Sequence, residues 1–241
     1  MRREQSRRCE QMVPAYEKIR IAFQKTGNAK FISHLDLDRT MKTALTRAGI
    51  KVEHTHGFNP RPYLVFSLPS SVGTESLCEF LDVNVAEGSD ISGFRERLNV
   101  NLPDDIAVTD VYRPETDFKR IKDAEYRLTV VSPLMDGDMC ERINELFRSP
   151  VFVEKRTKKT ESGFMDYDIQ PYIRSLVCGL SNPGEAVITT VVSAENATYI
   201  NPEYIIKAIC KYLSVDLTDP ENSVYNIVRT AVYGQNGEIF R

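Results

Sequence analysis

Residues 16–37, YEKIRIAFQKTGNAKFISHLDL, hold the reading on which the fold turns. In Tyr16–Phe23, Ile19, Ile21 and Phe23 alternate with charged neighbours, the period-two pattern of a half-buried strand. A loop follows at Lys25–Lys30. Ser33 then stands three residues before Asp36, the arrangement of a capping box, and Leu37, Met41, Ala44, Leu45 and Ala48 recur at helical spacing until Gly49 supplies a C-terminal stop. A strand thus leads directly into an amphipathic helix.

Working outward, Ile50–His54 is followed by the punctuated GFNPRP at Gly57–Pro62, then by alternation through Leu64, Phe66 and Leu68 and a further strand at Leu77–Val85. These segments predict an antiparallel set. Ser89 and Asp90 ahead of Ile91, Phe94 and Leu98 predict a second, short helix capped at that pair, and Ile106–Tyr112 another strand. A charged connector, Arg113–Glu125, precedes a second pass through the same grammar. It opens with a strand at Tyr126–Val131 and a helix capped at Asp136 and faced by Met139, Ile143, Leu146 and Phe147. Strands at Val151–Arg156, Met165–Tyr172 and Ala186–Val192 follow, then a helix entered through Asn201 and Pro202 and a last strand at Tyr225–Tyr233. The expected class is α+β, built as two tandem ferredoxin-like (split β-α-β) modules with antiparallel sheets. The expected boundaries are a flexible tail over 1–15, modules over 16–116 and 125–241, and a connector over 117–124.

Composition bounds the function. The 241 residues carry 31 Lys and Arg against 34 Asp and Glu, a net charge of -3, so any contact with RNA must be a local patch. Five scattered cysteines, Cys9, Cys78, Cys140, Cys178 and Cys210, match neither a secreted disulfide framework nor a zinc or iron–sulfur ligand set. A reducing, cytoplasmic compartment follows as the expectation. No apolar stretch approaches the roughly 18 residues of a membrane span, and no export signal is visible at the N-terminus. Nor is there a Walker loop, dinucleotide fingerprint, nucleophile elbow or H-E-x-x-H, so no cofactor and no metal are expected.

The three histidines fall early. His34 opens the first helix, and His54 and His56 flank Thr55 just before GFNPRP. With Asp36 and Asp38 they could supply metal donors, but no H-x-x-x-H spacing on one helix supports a metal site. As general acid or base, His34 and His56 are the catalytic candidates; as unrelated surface histidines, they have no joint role. At the helix N-terminus, Ser33, His34 and Asp36 sit where backbone N–H groups and the dipole attract a phosphate, although the pairing of Ser33 with Asp36 reads more simply as a cap.

In GFNPRP, Gly57 permits a turn while Pro60 and Pro62 stiffen the chain, which leaves Phe58, Asn59 and Arg61 on a rigid loop. Phe can stack on a base, Asn can read an edge, and Arg can pair with phosphate. The alternative is a proline-braced loop packed on its own sheet. Lys155, Arg156, Lys158 and Lys159 gather at the tip of an expected hairpin, as a phosphate-contacting cluster or as a solvated loop that protects a sheet edge.

The stretch from Lys30 to Val83 resembles the start of the radical-SAM-linked protein family, a domain family found fused to or beside cobalamin-binding-type radical SAM proteins. The resemblance is carried by S-H-L-D at Ser33–Asp36, Thr55 ahead of G-F-N-P at Gly57–Pro60, P-x-x-x-F at Pro62–Phe66, V-G-x-E-S at Val72–Ser76 and L-D-V at Leu81–Val83. It continues in Asp166–Ile173, in N-P-E-Y from Asn201 and in I-V-R-T at Ile227–Thr230, and so spans residues 16–235. The chain has no radical SAM cysteine triplet, and therefore resembles a stand-alone partner of the enzyme. The resemblance implies a separately encoded radical SAM protein as partner. The expected function is a non-catalytic RNA-binding accessory that presents tRNA or rRNA for modification. Two alternatives stand beside it: a metal-independent endoribonuclease similar to CRISPR repeat-processing enzymes, and a protein–protein adaptor for the radical SAM partner.

Overall fold

The computed structural model describes residues 15–157 and 163–241. It is a mixed α/β protein whose sheet is mostly antiparallel. The first half runs β1 (Tyr16–Lys25), α1 (His34–Arg47), β2 (Leu64–Ser67), β3 (Thr74–Ala86), α2 (Phe94–Asn99) and β4 (Ile106–Tyr112). The second runs β5 (Ile121–Val131), α3 (Gly137–Leu146), β6 (Phe152–Arg156), β7 (Phe164–Asp168), β8 (Ile173–Asn182), β9 (Glu185–Ser193), α4 (Glu203–Leu213) and β10 (Val224–Gly234). Among the described residues no helix is long and apolar enough to cross a membrane.

Eight strands form one sheet in the order β4-β1-β3-β10-β5-β9-β8, with β2 also paired to β3. The element order predicts a sheet for each half. The two runs are instead hydrogen-bonded to each other, because Ile227–Arg229 of β10 pair in parallel with Thr74–Ser76 of β3. β2 occupies the same strand further along, from Phe80 to Val83. The strands β6 and β7 stand apart as a two-stranded hairpin.

Local rules explain most elements. Ser33 caps α1 by accepting a hydrogen bond from the Asp36 backbone N–H at 3.1 Å, and Gly49, at φ +67°, takes the left-handed turn that ends it. Asp136 caps α3 through the Met139 N–H at 2.8 Å. Leu37, Met41, Ala44 and Leu45 of α1 bury against Ile19, Ile21 and Phe23 of β1, each large side chain contributing about 1.5–3 kcal/mol. In the second half, Met139 and Ile143 of α3 and Ile205, Ile206 and Ile209 of α4 close over Leu128, Val130 and Ile188.

Three segments depart from expectation. The strand expected at Ile50–His54 is reduced to isolated bridges, Val52 to Val85 and His54 to Pro62. The second helix starts later than Ser89 and Asp90 suggest: its N-cap is Gly93, while Asp90 folds onto Ser92. Strand β8 has no sequence signature, because as an edge strand it buries little besides Cys178 and so lacks apolar alternation.

Candidate functional site

Residues 52–63 form a looped neck beside β3. The Glu53 N–H donates to the Asn84 carbonyl at 2.8 Å, and the Tyr63 N–H to the Glu53 carbonyl at 2.9 Å. Nearer the tip, the Thr55 N–H donates to the Arg61 carbonyl at 2.8 Å and the Arg61 N–H to the Thr55 hydroxyl at 3.1 Å. A backbone held by four such bonds is preorganised. At the tip Gly57 adopts φ +132°, open to glycine, and Phe58 is fully exposed with Asn59 and Arg61 exposed beside it. The tip is therefore not packed on its own sheet.

His34 is exposed at the first turn of α1, its ring set edge-on to Phe66 with centroids 5.0 Å apart. His54 bonds its Nδ1 to the Val52 carbonyl at 2.9 Å, and His56 is exposed near the loop tip. Among the described residues no hydrogen bond or ion pair links one histidine to another, and no cluster of three or more His, Cys, Asp or Glu side chains could hold a metal ion. The hydrogen bond from the Ser33 hydroxyl, supported by Arg39, holds the Asp36 carboxyl below its ordinary range. Ser33 and Asp36 thus satisfy one another.

On the β6–β7 hairpin, Lys155 places its ammonium 4.1 Å from the Tyr167 ring centre and Arg156 lies 5.8 Å from that of Phe164. Tyr167 stacks on Tyr172 at 5.6 Å. Burial, aided by its contact with Tyr172, pushes the Tyr167 hydroxyl up to about 12. Lys158 and Lys159 lie outside the described residues.

Sequence reading missed a cleft of about 640 Å³ between the halves. Its floor is the face of the first-half strands turned away from α1, with Val65 and Ser67 of β2, Asp82 and Asn84 of β3, and Lys18 of β1. Phe118 and Lys119 of the connector form one wall, and Ala194–Asn196 after β9 another. Beneath it Arg20, fully buried, holds Asp82 through Nε at 2.7 Å and Nη2 at 3.0 Å and lies 4.1 Å under the Phe118 ring. Its Nη1 donates to the carbonyl of Arg241 at 3.1 Å, which fastens Arg241 to the same face.

The lip of the cleft is strained. Leu68 has φ +37°, a conformation that costs a non-glycine residue energy, and its carbonyl accepts a 2.6 Å bond from Arg229 Nη1. Arg229 also bonds Ser76 at 3.1 Å and pairs with Glu79, while Lys25 donates to the Thr74 carbonyl at 3.2 Å. Burial pulls the Lys25 ammonium below its ordinary range, against the opposing pull of Glu79. Next to this lip Ser67 is 4% exposed, and its hydroxyl has no hydrogen-bond partner among the described residues.

Residues 18–202 match the sequence model of a family described as an uncharacterized protein conserved in bacteria, DUF2344. None of the curated proteins matches the chain. Among solved structures, one described as a putative glycine cleavage system transcriptional repressor is 10% identical, with 89% of this chain and 98% of that one covered and a TM-score of 0.25. A heavy metal efflux pump is 12% identical over 90% of this chain and 28% of its own, with a TM-score of 0.22. DyPB from Rhodococcus jostii RHA1 is 11% identical over 90% and 93%, at 0.21.

Proposed function

This chain belongs to the conserved bacterial family DUF2344, and we propose that it acts as a non-catalytic RNA-binding accessory that presents tRNA or rRNA to a radical SAM enzyme. The observation that carries the RNA reading is Phe58, a large aromatic ring left wholly in solvent on a loop whose neck is tied by reciprocal bonds between Thr55 and Arg61. Exposing such a ring on a rigid support gains nothing for folding and suits stacking on an unpaired base, with Asn59 and Arg61 at hand for its edge and its phosphate. Lys155 and Arg156 on the β6–β7 hairpin supply a second basic point. The radical SAM partner rests on the motif resemblance from Ser33 to Val83.

A tandem ferredoxin-like architecture suits this role. Taken separately, the first-half strands run β4-β1-β3-β2 and the second-half strands β10-β5-β9-β8, each with antiparallel neighbours. That order supports the reading of a split β-α-β module, repeated, with the β6–β7 hairpin inserted in the second. We assign the modules to residues 16–116 and 125–241.

The test is fluorescence anisotropy with labelled single-stranded RNA at increasing salt. Binding that weakens steeply with salt and further on Phe58→Ala supports the proposal. The absence of binding at low salt contradicts it. Cleavage of the RNA in the presence of chelator would point to the endoribonuclease, with His34 and His56 as the residues to replace.

A further inference from the structure

We propose that the groove between α1 and the segment following α2 holds the phosphodiester backbone of the RNA, with Arg39 and Arg47 each engaging a phosphate of the strand whose unpaired base stacks on Phe58. This deepens the RNA-binding reading and rests on it. The groove, about 530 Å³, has Arg39, Thr40, Thr43 and Arg47 of α1 on one side and Val100–Pro103 on the other. None of these residues is acidic. The carboxylates that flank it, Asp36 and Asp104, lie outside the lining.

In a chain of net charge -3, a basic groove without a carboxylate is the local patch that an RNA contact requires. The segregation extends along the sequence, because residues 39–52 carry Arg39, Lys42, Arg47 and Lys51 and no Asp or Glu. Lys42 is taken up by Asp38 at 2.7 Å, but the two arginines are available. No hydrogen bond or ion pair engages Arg47 among the described residues. Arg39 reaches Asp36 only at 3.4 Å, with both side chains mostly exposed, and that carboxylate already accepts from the Ser33 hydroxyl at 2.7 Å. A guanidinium presents a planar fork that matches two phosphate oxygens at once.

The geometry suits a strand. Eight residues of helix set Arg39 and Arg47 about 12 Å apart along the axis and on the same flank, so one strand laid along α1 meets both. The opposite wall is fixed in place: Arg97 of α2 donates to the Ala48 carbonyl at 3.2 Å, and Asn101 to the Arg97 carbonyl at 2.8 Å. On that wall Val100 is 85% exposed and offers an apolar contact to a sugar or base.

The groove also leads to the loop that carries Phe58. Only Ala48–Lys51 separate Arg47 from the neck at Val52, and Lys51 and Arg61 are exposed along that path. A strand stacked on Phe58 can therefore continue over basic side chains onto α1.

The test is anisotropy of labelled single-stranded RNA with the full chain across a range of salt. Arg39→Gln with Arg47→Gln, and separately Thr43→Glu, which sets a carboxylate between them at an exposed helix position, should be compared with Phe58→Ala and with Arg95→Gln, an exposed arginine outside the groove. Thermal melts check that each variant is folded. We expect the double variant to bind about tenfold more weakly, with the slope of log affinity against log salt shallower by about 1.4, at about 0.7 per phosphate contact on a single strand. Thr43→Glu should weaken binding as well, Arg95→Gln should bind like wild type, and Phe58→Ala should weaken binding with an unchanged slope. Wild-type affinity and slope in both groove variants, while Phe58→Ala weakens binding, would overturn the groove and leave the RNA reading intact. No RNA binding by the wild-type chain at low salt would overturn both. Labelled polyglutamate bound through Arg39 and Arg47, with RNA indifferent to their loss, would overturn the assignment in favour of an acidic protein segment.

Discussion

Arg229 of β10 and Glu79 of β3 form an ion pair of 2.7 Å with both side chains 1% exposed, at the seam where the two halves of the sheet meet. Two charges taken out of water need close partners, and Arg229 is held by Glu79, Ser76 and the Leu68 carbonyl. The pair therefore joins the halves and shapes the cleft lip at once.

Arg229→Met strands Glu79 in a buried site and should cost about 3–5 kcal/mol of stability. The double variant Arg229→Met with Glu79→Leu should recover much of that loss, because it removes both charges. Urea denaturation of the three proteins measures this. A double variant no more stable than Arg229→Met would mean that the polar contacts to Ser76 and Leu68, not the charge pair, hold the seam.

Ser33→Ala removes the oxygen that accepts the Asp36 N–H and should lower stability by about 1 kcal/mol without altering RNA binding. Loss of RNA affinity at unchanged fold would instead show that the start of α1 touches the ligand.

Phe58→Ala should leave the melting temperature unchanged, since the ring packs on nothing, while weakening single-stranded RNA by about 1–3 kcal/mol. Thermal melts beside anisotropy separate the two effects. A drop in melting temperature would show that the loop tip is structural.

Burial, with a contribution from neighbouring Cys140, pushes the Cys178 thiol up to about 12. The unfolded chain releases that proton from about pH 8.5, so this group's support for the fold is intact below that pH and declines as the pH rises through about 12. Iodoacetamide at pH 8 should spare Cys178 in the native protein and modify it in denaturant, as read by mass spectrometry. Rapid native labelling would mean that the α3–β8 contact opens readily.

The strand and helix order was legible because β1, α1, α3, α4 and β10 each bury one face and so carry a clear period. The loop at Gly57–Pro62 was legible too, since glycine and proline dictate local geometry. The cleft was not. Arg20 and Asp82 alternate with apolar residues and read as solvent-facing, yet the connector's Phe118 and Arg241 close over Arg20. Likewise Lys25, Glu79 and Arg229 look like surface charges until β3 meets β10. That pairing joins residues about 150 positions apart, beyond the reach of any local pattern.

The most direct test of the RNA-binding account is ultraviolet crosslinking in the native host, followed by purification of the full chain and sequencing of the attached RNA, with co-purifying proteins identified in parallel. The account predicts one defined class of tRNA or rRNA, crosslinked at the Phe58 loop, together with a radical SAM protein. Recovery of the radical SAM protein with no crosslinked RNA would contradict it and make the exposed Phe58 a protein-docking residue.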